Sequence, residues 1–144
     1  MSTAKTTVDP VIRVLIVDDH AFVRAGVAEI LTGAGGFVVV GESDDGREVP
    51  LLAASCNPDV VLMDLRMPKM SGTEATRTLL SGQPGIRVVM LTGSDGGRNR
   101  SEAAESGAVG FVLKGGDPSV LVSAVRTVAN GGTAWPDDQL PAAS

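Results

Sequence analysis

The chain has 144 residues, carries a formal net charge of −5 and contains one cysteine, Cys56. This length suggests a single domain whose core is large enough to fold without disulfide bonds or structural metal ions. The acidic balance argues against nucleic-acid binding by this chain alone, since contacts with phosphates need a basic face. One cysteine excludes an internal disulfide, and no apolar stretch has the length of a membrane span or a signal peptide, so we expect a cytoplasmic protein.

The chain opens with a polar, aperiodic stretch, residues 1–10, which we predict to be a disordered extension. The apolar run over residues 12–17 predicts a buried strand. Helical spacing over residues 20–31 then predicts a first helix, which glycines bring to an end. A second strand is predicted over residues 37–40.

A second helix is predicted after a polar loop. Asp45, followed three residues later by Glu48, resembles a capping box. Pro50 is tolerated only near the first turn of a helix, so this helix is predicted to begin late or to be kinked. A third strand over residues 60–63 and a third helix over residues 72–80 follow.

The weakest part of the pattern lies between strand four, predicted over residues 88–91, and strand five, over residues 110–113. In this stretch only Ala103 and Ala104 offer apolar side chains after a polar, glycine-containing run. A helix four would therefore bury little surface. We expect residues 95–106 to be the most mobile part of the domain.

Asp117 and Pro118 supply an N-cap and a first-turn proline for the last helix, which is predicted to reach about Asn130. Residues 132–144 are predicted to be a linker or a disordered tail, and the sequence does not decide whether Trp135 packs on the last helix or contacts a partner. Five alternations of strand and helix predict the α/β class: a flavodoxin-like, doubly wound sheet of five parallel strands in the order 2-1-3-4-5.

Three carboxylates follow the predicted strands. Asp18 and Asp19 come directly after strand one, and Asp64 comes after strand three. Because the carboxyl ends of parallel strands meet at one edge of a sheet, these acids should converge, and they would repel one another without a cation. Mg²⁺ prefers such oxygen ligands together with water and a phosphate oxygen. The pattern therefore predicts a Mg²⁺-assisted phosphoryl-transfer centre.

Four motifs, in order, resemble the signature set of bacterial response-regulator receiver domains, whose fold is CheY-like. They are Val17-Asp18-Asp19-His20, Met63-Asp64-Leu65-Arg66-Met67-Pro68-Lys69-Met70-Ser71-Gly72, Leu91-Thr92 and Phe111-Val112-Leu113-Lys114. The match covers residues 12–130, which places a receiver domain over residues 11–131.

The resemblance implies a phosphoacceptor role for Asp64, a carboxylate that would take a phosphoryl group from a sensor histidine kinase. It implies Mg²⁺ ligation by Asp19 directly, by Asp18 directly or through water, by Asp64, and by the main-chain carbonyl of Arg66. Mg²⁺ would neutralise charge as the phosphoryl group moves.

The resemblance also assigns roles on the neighbouring strands. Lys114 would pair with Asp64 and then with a phosphoryl oxygen, and Thr92 would donate its hydroxyl to the same group. Phe111 occupies the aromatic switch position, and it could fill the space that Thr92 leaves as it moves inward. A homodimer formed on phosphorylation would use helix one or helix five, because helix four offers so little apolar surface.

Taken singly, these residues have plainer explanations. An acidic pair or a lone aspartate after a strand is often a helix cap, and a lone lysine is usually a solvated surface charge. His20, at the start of helix one, is expected to be an exposed capping residue. Phe111 can be a core residue and a switch at once. Only the joint placement of the motifs favours the receiver interpretation.

The ending Gly131-Gly132-Thr133 and the Asp-Asp-His motif resemble the NarL/FixJ subgroup, whose members usually carry a LuxR-type DNA-binding domain after the receiver. We therefore expect control of such an output domain outside this chain, with a stand-alone receiver that acts through protein contacts as the alternative. Two other functions are less favoured. An aspartate-nucleophile phosphatase needs Asp-x-Asp after strand one, and a flavin binder needs a Ser/Thr-rich loop there, whereas this chain has the adjacent pair Asp18-Asp19 followed by His20. One departure from many receivers is Gly115, where they carry a cis proline.

Overall fold

The computed structural model describes residues 10–94 and 96–136. The strands are β1 (Ile12–Val17), β2 (Phe37–Ser43), β3 (Val60–Asp64), β4 (Arg87–Thr92) and β5 (Gly110–Leu113), and the α-helices are α1 (Ala21–Ala34), α2 (Val49–Cys56), α3 (Gly72–Gly82), α4 (Gly97–Ser106) and α5 (Pro118–Ala129). All strands pair in parallel, in the order β2-β1-β3-β4-β5. The predicted fold class and strand order are confirmed.

The sheet is buried on both faces, which explains why its strands read as continuous apolar runs. Successive side chains of a strand point to opposite faces. Val14 and Ile16 of β1 therefore join the cluster packed under α1 and α5, whereas Leu15 and Val17 join the cluster under α2, α3 and α4. Because helices cover both faces of the sheet, a functional site is expected at the carboxyl ends of its strands.

Two element ends lie three residues beyond their predicted limits. Helix α1 continues through Gly33 to Ala34 and ends at Gly35, which has a φ of 79°. Strand β2 runs on to Ser43, because its last residues pair with the end of β1, with one irregularity in the register. Such pairing depends on the neighbouring strand and is not visible in the local sequence.

The start of α2 confirms the expected delay but not the capping box. Asp45 accepts a hydrogen bond from the Arg47 main-chain N–H and caps a single 3₁₀ turn, Gly46–Glu48. The carboxylate of Glu48 instead accepts a hydrogen bond from Ser43 Oγ at 2.8 Å. Helix α2 then begins at Val49 with Pro50 in its first turn.

Helix α4 forms despite its polar sequence. Its buried residues are Ala103 and Ser106, and Gly107 ends it with a φ of 104°. The small apolar burial agrees with the sequence analysis, so the helix needs other contacts, which are described below. The expected mobility of residues 95–106 stays a prediction, and Asp95 lies outside the described residues.

The segment after α5 contacts the edge of the sheet. Within residues 132–144, expected to be a linker or a disordered tail, Ala134 is buried and forms a parallel bridge with Gly110, while the domain limit itself stays a prediction. The Ala134 carbonyl accepts from the Phe111 N–H at 3.0 Å, and the Ala134 N–H donates to Val109 O at 2.9 Å. The free outer edge of β5 supplies these partners, which the sequence of the tail does not reveal. Residues 1–9 and 137–144 of the two expected disordered ends lie outside the described residues.

None of the helices in the described part of the chain combines the length and the apolar character needed to cross a bilayer.

Gly72 should be indispensable for the loop that follows β3. A Cβ at this position would collide with the main-chain oxygen of Asp64, and backbone cannot move aside cheaply. We expect Gly72→Ala to lower the free energy of unfolding by about 1–3 kcal/mol in urea titrations. Gly82→Ala, at the open end of the same helix, is the matched control and should be neutral or slightly stabilising. Equal stability of the two variants would contradict this account.

Candidate functional site

The carboxyl ends of three strands bring two acids and a base into contact. Asp18 follows β1, Asp64 ends β3 and Lys114 follows β5. The Lys114 ammonium lies 2.7 Å from Asp18 Oδ2 and 2.9 Å from Asp64 Oδ1. Both aspartates are buried. The strand ends thus hold an Asp–Lys–Asp arrangement in which both carboxylates are buried and the Lys114 side chain is 20% exposed.

Asp19 and His20 complete the polar cluster. Each of Asp18, Asp19, His20 and Asp64 offers one ligand atom, and these atoms lie within 4.8 Å of one another. The His20 side chain is 66% exposed, and its Nδ1 lies 3.3 Å from Asp18 Oδ1 and from Asp19 Oδ1. His20 occupies the N-cap position of α1, but its side chain makes no capping hydrogen bond. Its expected capping role is therefore wrong, and it belongs to the acidic edge instead.

The donor set fits a hard divalent cation. Asp64 Oδ2 is buried and has no hydrogen-bond partner within the described ranges. Asp18 has both oxygens engaged, Oδ1 by the His20 N–H at 2.8 Å and Oδ2 by Lys114. Asp19 is the most accessible of the three carboxylates, with 23% of its side chain exposed. An orphaned carboxylate oxygen beside an accessible one is an arrangement that Mg²⁺ would satisfy.

Burial controls the protonation of this cluster. It raises the pKa of Asp64 from 3.8 to about 6, with the Asp18 charge adding to the effect and Lys114 opposing it. Burial also lowers the pKa of Lys114, but its hydrogen bonds to Asp18 and Asp64 outweigh burial and hold the pKa above its usual value. Lys114 is therefore charged at neutral pH, and Asp64 is a carboxylate that is poorly compensated.

Thr92 lies at the end of β4, between the strands that carry Asp64 and Lys114. It is 2% exposed, and its main-chain carbonyl accepts from the Lys114 N–H at 2.7 Å. Its hydroxyl donates to the Ser94 carbonyl at 3.0 Å and accepts from the Ser94 N–H at 3.2 Å. The side chain of Asn99 on α4 approaches the same hydroxyl. Thr92 is at the site, but its hydroxyl is bound by the β4–α4 loop.

Arg66 joins the site to α4 through its side chain. Its main-chain N–H donates to Asp64 Oδ1 at 3.3 Å, and its guanidinium donates to Asn99 Oδ1 at 2.6 Å and pairs with Glu102 at 3.2 Å. The resemblance assigned a role only to the Arg66 carbonyl and none to Asn99. No local signal could have revealed this contact, because the two residues are 33 positions apart and meet only when α3 and α4 pack side by side.

Phe111 lies on β5 with its ring buried. The ring stacks against Trp135 at a centroid distance of 6.3 Å and an interplanar angle of 20°. This contact answers the open question about Trp135, which packs against the sheet edge beside Phe111. Gly115, directly after Lys114, has a φ of 75°, and the described residues contain no cis peptide bond.

Comparison with known proteins places this arrangement in a family. The family described as response regulator receiver domain matches residues 14–126. The chain belongs to the response regulator receiver domains. This receiver is 42% identical over 120 residues to the response regulator GacA of Pseudomonas aeruginosa, a match that covers 83% of this chain and 56% of that protein. The chain thus spans about half the length of the curated relatives it matches.

Solved structures agree with this placement and with the subgroup. A LuxR-family two-component response regulator from Aurantimonas superposes with a TM-score of 0.83 at 36% identity, over 88% of this chain and 91% of that one. The receiver domain of a putative NarL from Mycobacterium tuberculosis gives a TM-score of 0.80 at 36% identity, over 85% and 99%. The receiver is therefore of the NarL and LuxR type, a signalling domain of two-component systems.

The raised pKa of Asp64 predicts how this residue affects stability. The folded state holds the Asp64 proton more tightly than the unfolded state does, so this contribution to stability is full below about pH 4 and is lost as pH rises through about 6. Asp64→Asn should therefore melt a few degrees above wild type at pH 7.5 without divalent cations, and the difference should shrink toward pH 4.5. Thermal melts across this range measure it, with the exposed Asp44→Asn as control. A variant that is less stable than wild type at pH 7.5 would contradict the assignment.

Proposed function

We propose that Asp64 is the phosphoacceptor of this receiver and takes a phosphoryl group from a phosphohistidine of a sensor kinase. The observation that carries the proposal is the buried Asp64 carboxylate, which has one oxygen on Lys114 and the other without a partner. That second oxygen is available for attack on phosphorus. Asp18 has both oxygens engaged, one by the His20 N–H and one by Lys114. Asp19 also has a buried oxygen without a hydrogen bond, but its side chain is more exposed than that of Asp64, and Lys114 pairs with Asp64.

The transfer forms a bond between an Asp64 oxygen and phosphorus and breaks the bond between phosphorus and the histidine nitrogen. The electron pair of the broken bond returns to the imidazole of the kinase, which takes up a proton. Lys114 stays within reach of the reacting carboxylate and stabilises the negative charge on the phosphoryl oxygens. Its raised pKa keeps it cationic throughout.

Magnesium would be held by Asp19, Asp64 and the main-chain carbonyl of Arg66, with Asp18 acting directly or through water. Bound Mg²⁺ supplies charge neutralisation at the phosphoryl oxygens. The engagement of both Asp18 oxygens favours the water-mediated arrangement for that residue. Within the described residues Lys114 pairs with Asp18 and Asp64 and not with Asp19, and the exposure of Asp19 suits direct ligation.

The side chains of Thr92 and Phe111 would change position when Asp64 is phosphorylated. The Thr92 hydroxyl would leave Ser94 and donate to a phosphoryl oxygen, and Phe111 would adjust to the space that becomes free. Phe111 contacts both the sheet and, through Ala134 and Trp135, the segment that follows α5. A displaced Phe111 would therefore move that segment.

The surface around α1 supports the proposed partners. Phe22 on α1 is 90% exposed, and it borders an apolar cavity that continues to Pro118 and Leu121 of α5. An exposed aromatic beside an apolar cavity is typical of a protein contact. We assign this face to contacts with the sensor kinase and to a homodimer formed on phosphorylation. The whole protein would be a cytoplasmic transcription regulator whose DNA-binding part lies outside this chain.

Phosphorylation should need both Asp64 and Mg²⁺. Incubation with acetyl phosphate and Mg²⁺ should add one phosphoryl group to the wild type, which intact mass detects and mild base removes because an acyl phosphate is labile. Asp64→Asn should abolish the added mass, and Asp19→Asn should reduce labelling at least tenfold while the domain stays folded. Asp44→Asn is the matched control and should label normally. Labelling that survives Asp64→Asn would refute the assignment.

Magnesium alone should stabilise the domain. Because the ion binds the folded site, 10 mM Mg²⁺ should raise the melting temperature of the wild type by a few degrees, and Asp19→Asn should lose most of this increase. Circular dichroism melts with and without Mg²⁺ measure the effect, with Ca²⁺-free buffers. An equal increase in both proteins would show that the ion binds elsewhere.

A further inference from the structure

We propose that Asn99 is a positioning residue that holds the Thr92 hydroxyl away from the phosphorylation site in the unphosphorylated receiver. Arg66, two residues after Asp64, fixes Asn99 in this role. The inference rests on the proposed function of Asp64 and adds a resting-state restraint that the family assignment does not supply.

The hydroxyl of Thr92 has no bonding capacity left. It has one proton, which it donates to the Ser94 carbonyl, and it accepts from the Ser94 N–H and from Asn99 Nδ2 at 3.3 Å. A hydroxyl has one donor and two acceptor positions. Thr92 can therefore donate to a phosphoryl oxygen only after its bond to Ser94 breaks.

The amide of Asn99 strengthens this restraint from α4. Its Nδ2 donates to Thr92 Oγ1 and also to the Ser94 carbonyl at 3.1 Å. Its Oδ1 accepts from the Arg66 guanidinium at 2.6 Å. A guanidinium only donates, so the Asn99 atom that faces Arg66 must be the oxygen, and the nitrogen must face Thr92. The orientation of the amide is thus determined by Arg66.

The same contacts explain how α4 is positioned. This helix buries little apolar surface, and its contacts with the site are polar. Arg66 bridges to Asn99 and to Glu102, and Arg98 lies 3.9 Å from Glu102 on the solvent side. A helix held by polar contacts beside the phosphoacceptor can respond when the charge on that acceptor changes.

A phosphoryl group on Asp64 would compete for both ends of the restraint. It adds oxygens that accept from the Thr92 hydroxyl, and its charge attracts Arg66, whose main-chain N–H already contacts Asp64. The hydrogen bond from Asn99 to the Thr92 hydroxyl must be given up when Thr92 moves. Removing Asn99 should therefore lower the cost of activation, and one net hydrogen bond corresponds to about 3- to 10-fold in affinity for a phosphoryl mimic.

The test compares beryllofluoride binding to the whole chain in the presence of Mg²⁺, measured by isothermal titration calorimetry. Asn99→Ala should bind about 3- to 10-fold more tightly than wild type. Asn99→Leu, which keeps the bulk of the side chain but makes no hydrogen bond, should bind equally tightly. Arg98→Ala, one position away on the solvent side of α4, is the matched control and should bind as wild type does.

Two further measurements separate positioning from a structural role. The melting temperature without beryllofluoride should fall by a few degrees in both Asn99 variants, because the restraint stabilises the resting state. With saturating beryllofluoride both variants should melt as the wild type does, whereas loss of a merely structural residue would lower both melting temperatures and leave binding no tighter. In an Arg66→Ala background the effect of Asn99→Ala should be smaller, because the amide has then lost the group that orients it.

Unchanged or weaker binding by both Asn99 variants would overturn the inference and leave Asp64 as the phosphoacceptor. Failure of the wild type to bind beryllofluoride would instead refute the proposed function, and the inference with it.

Discussion

The site depends on two ion pairs, which Lys114 makes with Asp18 and with Asp64. They join the ends of β1, β3 and β5, three strands that meet only because the sheet order is β2-β1-β3-β4-β5. Two buried carboxylates that both contact one ammonium group would repel one another strongly without that cation. Lys114 compensates part of this charge, but burial, with the Asp18 charge adding to it, still raises the pKa of Asp64. A site with an incompletely compensated carboxylate would be stabilised by a second cation, which agrees with the proposed binding of Mg²⁺.

The surroundings of the ion pairs divide into two kinds of contact. On one side, Phe111 and Trp135 form an apolar contact that ties the sheet to the segment after α5. On the other side, Arg66, Asn99 and Thr92 form a polar chain that leads from Asp64 to α4. Polar contacts of partly exposed groups exchange with water at small cost, whereas buried aromatic contacts must be repacked. A change at Asp64 would therefore reach α4 by exchange of hydrogen bonds and reach the tail by displacement of a ring.

Much of the fold was predictable because burial on both faces makes the strands continuous apolar runs. Strands β1 and β5 have their predicted limits, and the late start of α2 followed from Pro50. The errors fall where partners decide the outcome. Strand β2 reaches Ser43 because β1 extends beside it, and Ala134 joins the edge of β5 because that edge was free. Local patterns cannot show which backbone groups a distant strand will offer.

The sequence by itself determined the class of the protein and the residues that meet at the carboxyl edge of its sheet, since strand-end acids and a strand-end lysine must converge in any parallel sheet of this order. The tertiary structure alone decided which oxygen of each acid is engaged, that His20 turns toward the acids, and that Asn99 meets both Arg66 and Thr92. These features depend on side-chain directions and on the packing of α3 against α4. Contacts of that kind arise between residues far apart in the chain, so no periodicity or spacing in the sequence encodes them.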